Sequence, residues 1–166
     1  IFAGGIPVTV STKMSNNFKI TPEELENAIT DKTKAVVLNY PNNPTGATMG
    51  KPDLEEIADV VVDNDLIVIS DEVYDCLTYE GEHTCFASLE GLRDRTILLN
   101  GFSKSYAMTG FRIAYALGAS EIISSMMLIH QYTMLCAPIV AQLGAMEALR
   151  NGNDELDKMV REYDRR

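Results

Sequence analysis

The sequence predicts an α/β fold in which helices cover both faces of a mostly parallel β-sheet. Three short apolar runs, at residues 35–38, 66–69 and 96–99, have the continuous Val, Ile and Leu content of strands that are buried on both faces. Residues 53–62, between the first two runs, place their apolar side chains at helical spacing. Strands that alternate with helices along a chain form parallel units with right-handed crossovers.

Two further elements precede the first of these runs. Residues 6–10 are rich in β-branched side chains, and we predict that they form a short strand. Pro22 and Glu24 follow Thr21 in the pattern of a capping box with proline in the first helical turn. We therefore expect a helix from this point to about Ile29.

Polar residues follow each strand of the predicted sheet. The first strand enters a loop of Pro, Asn and Gly residues at 41–46, and the second and third end at Ser70 and Asn100. The connection at residues 75–95 contains a turn around Gly81. We interpret that connection, with His83 and Cys85, as a loop without a functional site.

The last third of the chain is mostly helical by its pattern. Residues 111–117 are predicted as a strand, and helices follow at 121–135, at 138–149 and from 154 onward. His130 lies among Ile and Met residues at helical spacing, which is typical of a core or interface helix in which Met fills irregular gaps.

The composition excludes several classes of protein. The chain has 166 residues, 46% of them apolar, which suits one globular unit, and no apolar run approaches the length of a membrane span. A net charge of −10 argues against nucleic acid or an anionic membrane as the main partner. Three cysteines without a CxxC pair, with two histidines, predict no metal site and a reduced, cytoplasmic setting.

Chemically active side chains follow the strands at one edge of the predicted sheet. Ligands of open parallel sheets bind beyond the carboxyl ends of the strands. Each of these side chains alone has an ordinary structural explanation, as a turn former, a helix cap or a solvated cation. Their convergence predicts a site built from Asn43, Asp71, Tyr74, Ser103, Lys104 and Arg112.

Three other motifs come close without matching. Residues 46–51 resemble a phosphate-binding loop, but only three residues separate the glycines and Pro52 replaces the required Ser or Thr. Residues 101–105 resemble a nucleophile elbow but end in Ser105 instead of glycine. No GxGxxG follows a predicted strand. Nucleotide hydrolysis, serine hydrolysis and a standard dinucleotide fold are therefore disfavoured.

Three ordered motifs resemble a known family. PNNPTG at 41–46, DEVY at 71–74 and GFSKSYAMTGFRIAY at 101–115 are similar to the pyridoxal-phosphate-dependent aminotransferases of classes I and II, which have fold type I. The resemblance implies that residues 1–166 are part of the cofactor-binding (large) domain, without the small domain and the N-terminal part of the large domain. It also implies a cytoplasmic homodimer as the full-length parent, and a fragment that is inactive alone.

The family's activity would be the transfer of an amino group between an amino acid and a 2-oxo acid, with aspartate or an aromatic amino acid as the expected donor. Lys104 resembles the lysine that attaches pyridoxal 5'-phosphate through its aldehyde and then moves the substrate proton. Asp71 resembles the carboxylate that keeps the pyridine nitrogen protonated, so that the ring accepts electrons.

The remaining residues resemble the groups that hold the cofactor. Tyr74 and Asn43 match the phenol and the amide that bind its ring oxygen. Arg112 matches the arginine that pairs with its phosphate, and Ser103 could add a hydroxyl to that group. Gly101 stands where the family often has a serine, so one phosphate contact differs.

Two alternative functions use the same residues. A carbon-sulfur lyase of this fold would need the same lysine, aspartate and arginine, and a transcription regulator could retain the domain as a sensor. Neither the amino acid donor nor the choice between transamination and elimination follows from this sequence. Flanking sequence would separate the lyase by its substrate-pocket residues and the regulator by a basic DNA-binding segment.

The resemblance also implies structural details. It predicts a cis bond between Asn43 and Pro44. Residues 6–10 should not pair with the first strand of the parallel core, and residues 111–117 should run antiparallel beside its third strand. An unpaired sheet edge binds other strands, so we expect this 166-residue chain either to self-associate or to be observed only beside the rest of its parent. We also expect it to bind the cofactor poorly alone.

Overall fold

The computed structural model of the chain describes residues 3–166. Its sheet has four strands in the order β1-β2-β3-β4. The first three are parallel and the fourth is antiparallel to the third, which confirms the predicted core and the direction of the last strand. The strands are β1 at Ala35–Asn39, β2 at Ile67–Asp71, β3 at Thr96–Gly101 and β4 at Ala114–Leu117.

Six helices accompany the sheet in the described part of the chain. They are α1 at Pro22–Glu26, α2 at Lys51–Asp63, α3 at Phe102–Ser105, α4 at Ser120–Thr133, α5 at Ile139–Asn151 and α6 at Asn153–Arg165. The sequence did not predict α3, and α1 ends before Ile29. The predicted strand at 111–117 begins only at Ala114, because a 3-10 turn occupies Thr109–Phe111 and Arg112 is left-handed at φ 52°.

The N-terminal signals of two helices act as their residue types predict. Thr21 Oγ1 accepts a hydrogen bond from Glu24 N at 3.2 Å, and Glu24 Oε2 accepts one from Thr21 N at 3.1 Å, which completes the predicted capping box. At α2, Asp53 Oδ2 accepts from Gly50 N at 3.0 Å and forms an ion pair with Lys19 at 2.7 Å. These bonds satisfy backbone groups that a helix start leaves without partners.

The main core lies between one face of the sheet and α2. Leu38 of β1 and Val68 of β2 pack in one cluster with Ile57 and Val61 of α2, and all four are buried. Phe86, from the connection between β2 and β3, lies in the same cluster at 1% exposure. This face of the sheet is covered by α2, as the pattern of apolar runs predicted.

The opposite face differs from the prediction that helices cover both sides. Val37 of β1 is 69% exposed, and Ile67 and Ile69 of β2 are partly exposed. Helix α4 buries none of its residues, so His130 is exposed and does not belong to a core. A continuous apolar run therefore marks a strand that can be covered on both faces, while residues 3–166 bury Leu38 and Val68 on one face and leave Val37 exposed on the other.

Residues 6–10 correct a second expectation. They form no regular strand, and Ile6 is 89% exposed. The prediction that they do not pair with β1 is confirmed, since β1 is the edge of the sheet formed by residues 3–166. Without a partner backbone, β-branched side chains alone do not make a strand. Among residues 3–166, no helix combines the length and apolarity needed to cross a membrane.

Candidate functional site

The carboxyl ends of the parallel strands bring the predicted site residues to one edge. Asn39, at the end of β1, pairs in register with Asp71, and Asp71 pairs with Leu99 of β3. Asn43 follows the first of these strands, Tyr74 the second and Lys104 the third. The crevice beyond such strand ends is where ligands of open α/β sheets bind.

The loop at 41–46 is organised by the amide of Asn39. Its Oδ1 accepts from Asn43 N at 3.0 Å, and its Nδ2 donates to Asp71 O at 3.3 Å, so the loop is tied to the end of β2. The Asn43-Pro44 bond is cis, as predicted, and the Tyr40-Pro41 bond is also cis, which the sequence analysis did not predict. The two hydrogen bonds of Asn39 hold the exposed Asn43 beside the end of β2.

An amide, a phenol and an amine meet in this crevice. Asn43 Nδ2 donates to the Tyr74 hydroxyl at 3.4 Å. Lys104 Nζ lies 5.5 Å from the centroid of the Tyr74 ring, within the range of a cation-π contact. Asn43 and Tyr74, which are 31 residues apart along the chain, therefore present hydrogen-bond donors to the same space as the primary amine of Lys104 in α3.

Asp71 supplies a carboxylate at the same edge. It is the last residue of β2 and is half-buried, and its Oδ1 accepts from Val73 N at 3.3 Å. No side-chain hydrogen bond or ion pair joins Asp71 to Tyr74 or Lys104 within residues 3–166. A carboxylate that keeps acceptor capacity at a ligand crevice can hold a protonated nitrogen.

Arg112 and Ser103 lie near the others in sequence but make no direct bond to them. Arg112 is exposed, and its Nη1 donates to Thr109 O at 2.8 Å. Ser103 precedes Lys104 in α3 and is half-buried. Among the described residues, the structure brings Asn43, Tyr74 and Lys104 into contact and leaves these two outside that contact.

Asp75, Asn100 and Ser105 form a network that the sequence analysis missed. Asn100 Nδ2 donates to Asp75 Oδ2 at 2.7 Å, and Ser105 Oγ donates to Asp75 Oδ1 at 3.4 Å. Each residue is adjacent to a predicted motif residue or strand end, and that adjacency was the available signal. What the sequence could not give is the pairing across 25 residues.

The aromatic side chains beside this network have altered acidity. Burial raises the pKa of Tyr106 and of Tyr115, and negative charge at Asp75 raises both further. The Phe102 ring lies 5.8 Å from each of these two tyrosine rings. Both shifts favour the neutral form of the phenol.

A second polar cluster lies on the core side of β2 and includes His83 and Phe86 from the connection at residues 75–95. Glu72 is 3% exposed and accepts from Ser70 Oγ at 2.8 Å and from Phe86 N at 3.0 Å. His83 Nε2 lies 2.7 Å from the other Glu72 oxygen. These residues line a cavity of about 120 Å³. Burial raises the pKa of the nearby Cys85 thiol.

Comparison with known proteins gives one consistent result. The family model described as aminotransferase class I and II matches residues 2–166. An aspartate aminotransferase of Pyrococcus abyssi is 46% identical over 100% of this chain and 43% of its own length. An aromatic-amino-acid aminotransferase 2 of Thermococcus litoralis is 44% identical, with the same coverage.

A solved structure agrees with the sequence relatives. The crystal structure of an aromatic aminotransferase from Pyrococcus horikoshii superposes with a TM-score of 0.95 at 46% identity, over 98% of this chain and 44% of that one. The chain thus spans less than half the length of the proteins that it matches. The mostly parallel four-stranded sheet and its helices match the fold type I architecture predicted above.

Proposed function

Because this chain belongs to the class I and II aminotransferases, we propose that the longer protein transfers an amino group between an amino acid and a 2-oxo acid. The observation that carries the proposal is the contact of Asn43, Tyr74 and Lys104 at the carboxyl edge of the parallel sheet. Asp71 ends the central parallel strand at that same edge. Pyridoxal 5'-phosphate is the proposed cofactor.

The donor set of the crevice fits that cofactor. Lys104 offers a primary amine for an aldehyde, and Asn43 and Tyr74 offer hydrogen-bond donors for a ring oxygen. Asp71 offers a carboxylate for a ring nitrogen, and Arg112 offers a planar guanidinium for a phosphate. When bound, pyridoxal phosphate supplies an electron sink for the bonding pair left at the substrate α-carbon.

The chemistry of each side chain suggests its role in the proposed reaction. Asp71 would hold a proton at the ring nitrogen by its negative charge. Lys104 would bind the cofactor and then carry the substrate proton at its Nζ, which lies 5.5 Å from the centroid of the Tyr74 ring. Asn43 would orient Tyr74 through the 3.4 Å hydrogen bond.

Arg112 and Ser103 are proposed phosphate contacts. Arg112 Nη1 is occupied by the Thr109 carbonyl at 2.8 Å, so binding a phosphate would use its other donors or replace this bond. Ser103 neighbours Lys104 on α3 and would add one hydroxyl. Guanidinium and hydroxyl together are a common way to hold a doubly charged group.

The substrate, domain and assembly proposals extend beyond this chain. Aspartate or an aromatic amino acid is the proposed donor, since relatives at 44% and 46% identity carry these names. All relatives reported above are named aminotransferases, which favours transamination over carbon-sulfur cleavage or a sensor role. We propose that residues 1–166 are a partial cofactor-binding (large) domain, because the matched proteins are more than twice as long.

A cytoplasmic homodimer is the proposed form of the longer protein. Helices α4 and α5 expose many apolar side chains, including Ile129, Tyr132 and Val140, which supports burial against other protein. Cys76, Cys85 and Cys136 are free cysteines, which supports a reducing compartment.

Borohydride reduction of the full-length protein with pyridoxal phosphate, followed by peptide mapping, tests the proposal. The pyridoxyl group should be found on Lys104, and a Lys104→Arg variant should not be labelled there. Amino transfer from aspartate or an aromatic amino acid to a 2-oxo acid should accompany the labelling. A pyridoxyl group on Lys34 or Lys51, with Lys104 unmodified, contradicts the assignment.

A further inference from the structure

Three segments of the candidate site meet at one carboxylate, that of Asp75. This residue follows Tyr74 directly and begins the 3-10 turn Asp75–Leu77. Its partners Asn100 and Ser105 belong to β3 and to α3, the helix that carries Lys104. We propose that Asp75 is a positioning residue that fixes the Tyr74 segment against the Lys104 helix, an inference that rests on the function proposed above.

Every oxygen of this carboxylate is used. Oδ2 accepts from Asn100 Nδ2 at 2.7 Å, while Oδ1 accepts from Cys76 N at 2.6 Å and from Ser105 Oγ at 3.4 Å. Asn100 continues the chain of bonds, because its Oδ1 accepts from Gly101 N at 2.6 Å. A hydrogen-bonded path therefore connects the residue after Tyr74 to the peptide group just before α3.

The pattern of donors requires an acceptor at position 75. The side-chain oxygen of Asn100, Oδ1, already accepts from Gly101 N. The side-chain nitrogen, Nδ2, therefore faces Asp75 as a donor. Asn100 is 8% exposed and Ser105 is 2% exposed. Bulk water therefore cannot replace the carboxylate as their partner. An amide at position 75 has only one acceptor oxygen, so its NH2 group would face a donor, either Asn100 Nδ2 or Cys76 N.

Asp75 acts through its neighbours and not on the reacting groups. Within residues 3–166 it makes no hydrogen bond or ion pair to Lys104 or Tyr74. The 5.5 Å approach of Lys104 Nζ to the Tyr74 ring depends on how the two segments are held together. Displacement of a reacting group by about 1 Å can lower a rate by about a hundredfold, so this support bears on catalysis.

An exchange of the two side chains tests the network in the full-length protein loaded with pyridoxal phosphate. Asp75→Asn should lower kcat by about tenfold to a hundredfold. The KM for the amino acid should change by less than about threefold, because substrate contacts stay in place. Combining Asp75→Asn with Asn100→Asp should restore most of kcat. In that double variant the new amide at 75 donates to the new carboxylate at 100, which still accepts from Gly101 N.

Circular dichroism of the bound cofactor in the visible range separates positioning from plain stability. The band should weaken in Asp75→Asn at temperatures well below Tm and recover in the double variant. Asp59→Asn, on the exposed side of α2, is the matched control and should change neither kcat nor the band. If Asp75→Asn alone fails to fold, the double variant still tests the network, because its kcat and visible band can be compared with those of the wild type.

The outcomes distinguish this inference from the proposed function. An Asp75→Asn protein with a lower Tm but unchanged kcat and unchanged visible band overturns the positioning role. A double variant that recovers neither quantity overturns the hydrogen-bond pattern. A wild-type protein that does not carry the cofactor on Lys104 overturns the proposed function, and with it this inference, before any variant of Asp75 is measured.

Discussion

Replacing Glu72 by alanine should destabilise the protein much more than replacing it by glutamine. The Glu72 carboxylate is almost fully buried and is the common acceptor for Ser70 Oγ, Phe86 N and the His83 ring. Alanine leaves all three groups without that acceptor, at about 1 to 3 kcal/mol for each buried group. Water in the adjacent cavity of about 120 Å³ can reach part of the cluster, which favours the lower end of that range.

These terms give a loss of about 3 to 5 kcal/mol for Glu72→Ala. Glutamine keeps an acceptor oxygen for Ser70 and Phe86, and its NH2 group can donate to His83 Nε2 once the ring proton moves to Nδ1, so about 1 kcal/mol is expected. Glu56, exposed on α2, provides the control, and Glu56→Ala should change stability by less than about 0.5 kcal/mol.

Urea unfolding of the cofactor-free, full-length variants at one pH measures these differences. Hydrogen exchange of the peptide that contains Phe86 should show the same order, because the Phe86 amide loses its acceptor only in the alanine variant. Equal unfolding free energies for Glu72→Ala and Glu72→Gln would refute the reasoning, since it assigns most of the loss to unsatisfied donors. Unchanged protection of the Phe86 amide in Glu72→Ala would refute it independently.

Four further predictions concern the helix start, the sheet, the crevice and the isolated chain. The Lys19 ammonium lowers the pKa of Asp53 below 3.8, so the pair stabilises the fold above that pH and stops doing so as pH falls through the lowered value. Both side chains are about a third exposed, so Asp53→Asn should cost less than about 1 kcal/mol in urea unfolding at pH 7, and the difference should shrink toward pH 3. Gly101→Ala should lower Tm, because a Cβ would lie 3.0 Å from Ala114 Cβ and 3.2 Å from its Cα; an unchanged Tm would contradict this. Asp71→Asn in the full-length protein should leave cofactor attachment possible but slow transamination by about a hundredfold, and single-turnover rates within a few fold of wild type would argue against the proposed role. The isolated 166-residue chain should self-associate in analytical ultracentrifugation through the unpaired edge of β1, whereas a monodisperse monomer with micromolar cofactor affinity would contradict it.

Much of the sheet could be predicted because its signals are local. The runs of Val, Ile and Leu that form β1, β2 and β3 are bounded by polar turn residues, and the α1 capping box lies within four residues. Residues 6–10 have similar β-propensity and form no strand, since pairing depends on a neighbour that propensity does not encode. The exposure of Val37 was equally hidden, because the same run of residues serves a strand covered on one face or on two.

The site could be predicted at the level of motifs, but its supports could not. Asn43, Tyr74 and Lys104 follow strand ends, and the parallel topology brings strand ends together. The bond between Asp75 and Asn100 joins two connections whose relative position is set only by the completed fold. A polar residue after a strand has many local explanations, and sequence alone does not choose among them.

Asp71 and Glu72 show how the strand geometry separates two adjacent carboxylates. Side chains alternate between the two faces of a strand, so Ser70 lies on the core face and Asp71 on the face of the candidate site. Glu72 follows in the core-side position, where it binds Ser70 and Phe86. Asp71 keeps a single backbone donor and stays half-buried at the crevice.

A shift of one residue in the register of β2 would exchange these environments, burying the proposed cofactor carboxylate and exposing the structural one. The register Asn39↔Asp71 therefore assigns these two acidic neighbours their different tasks.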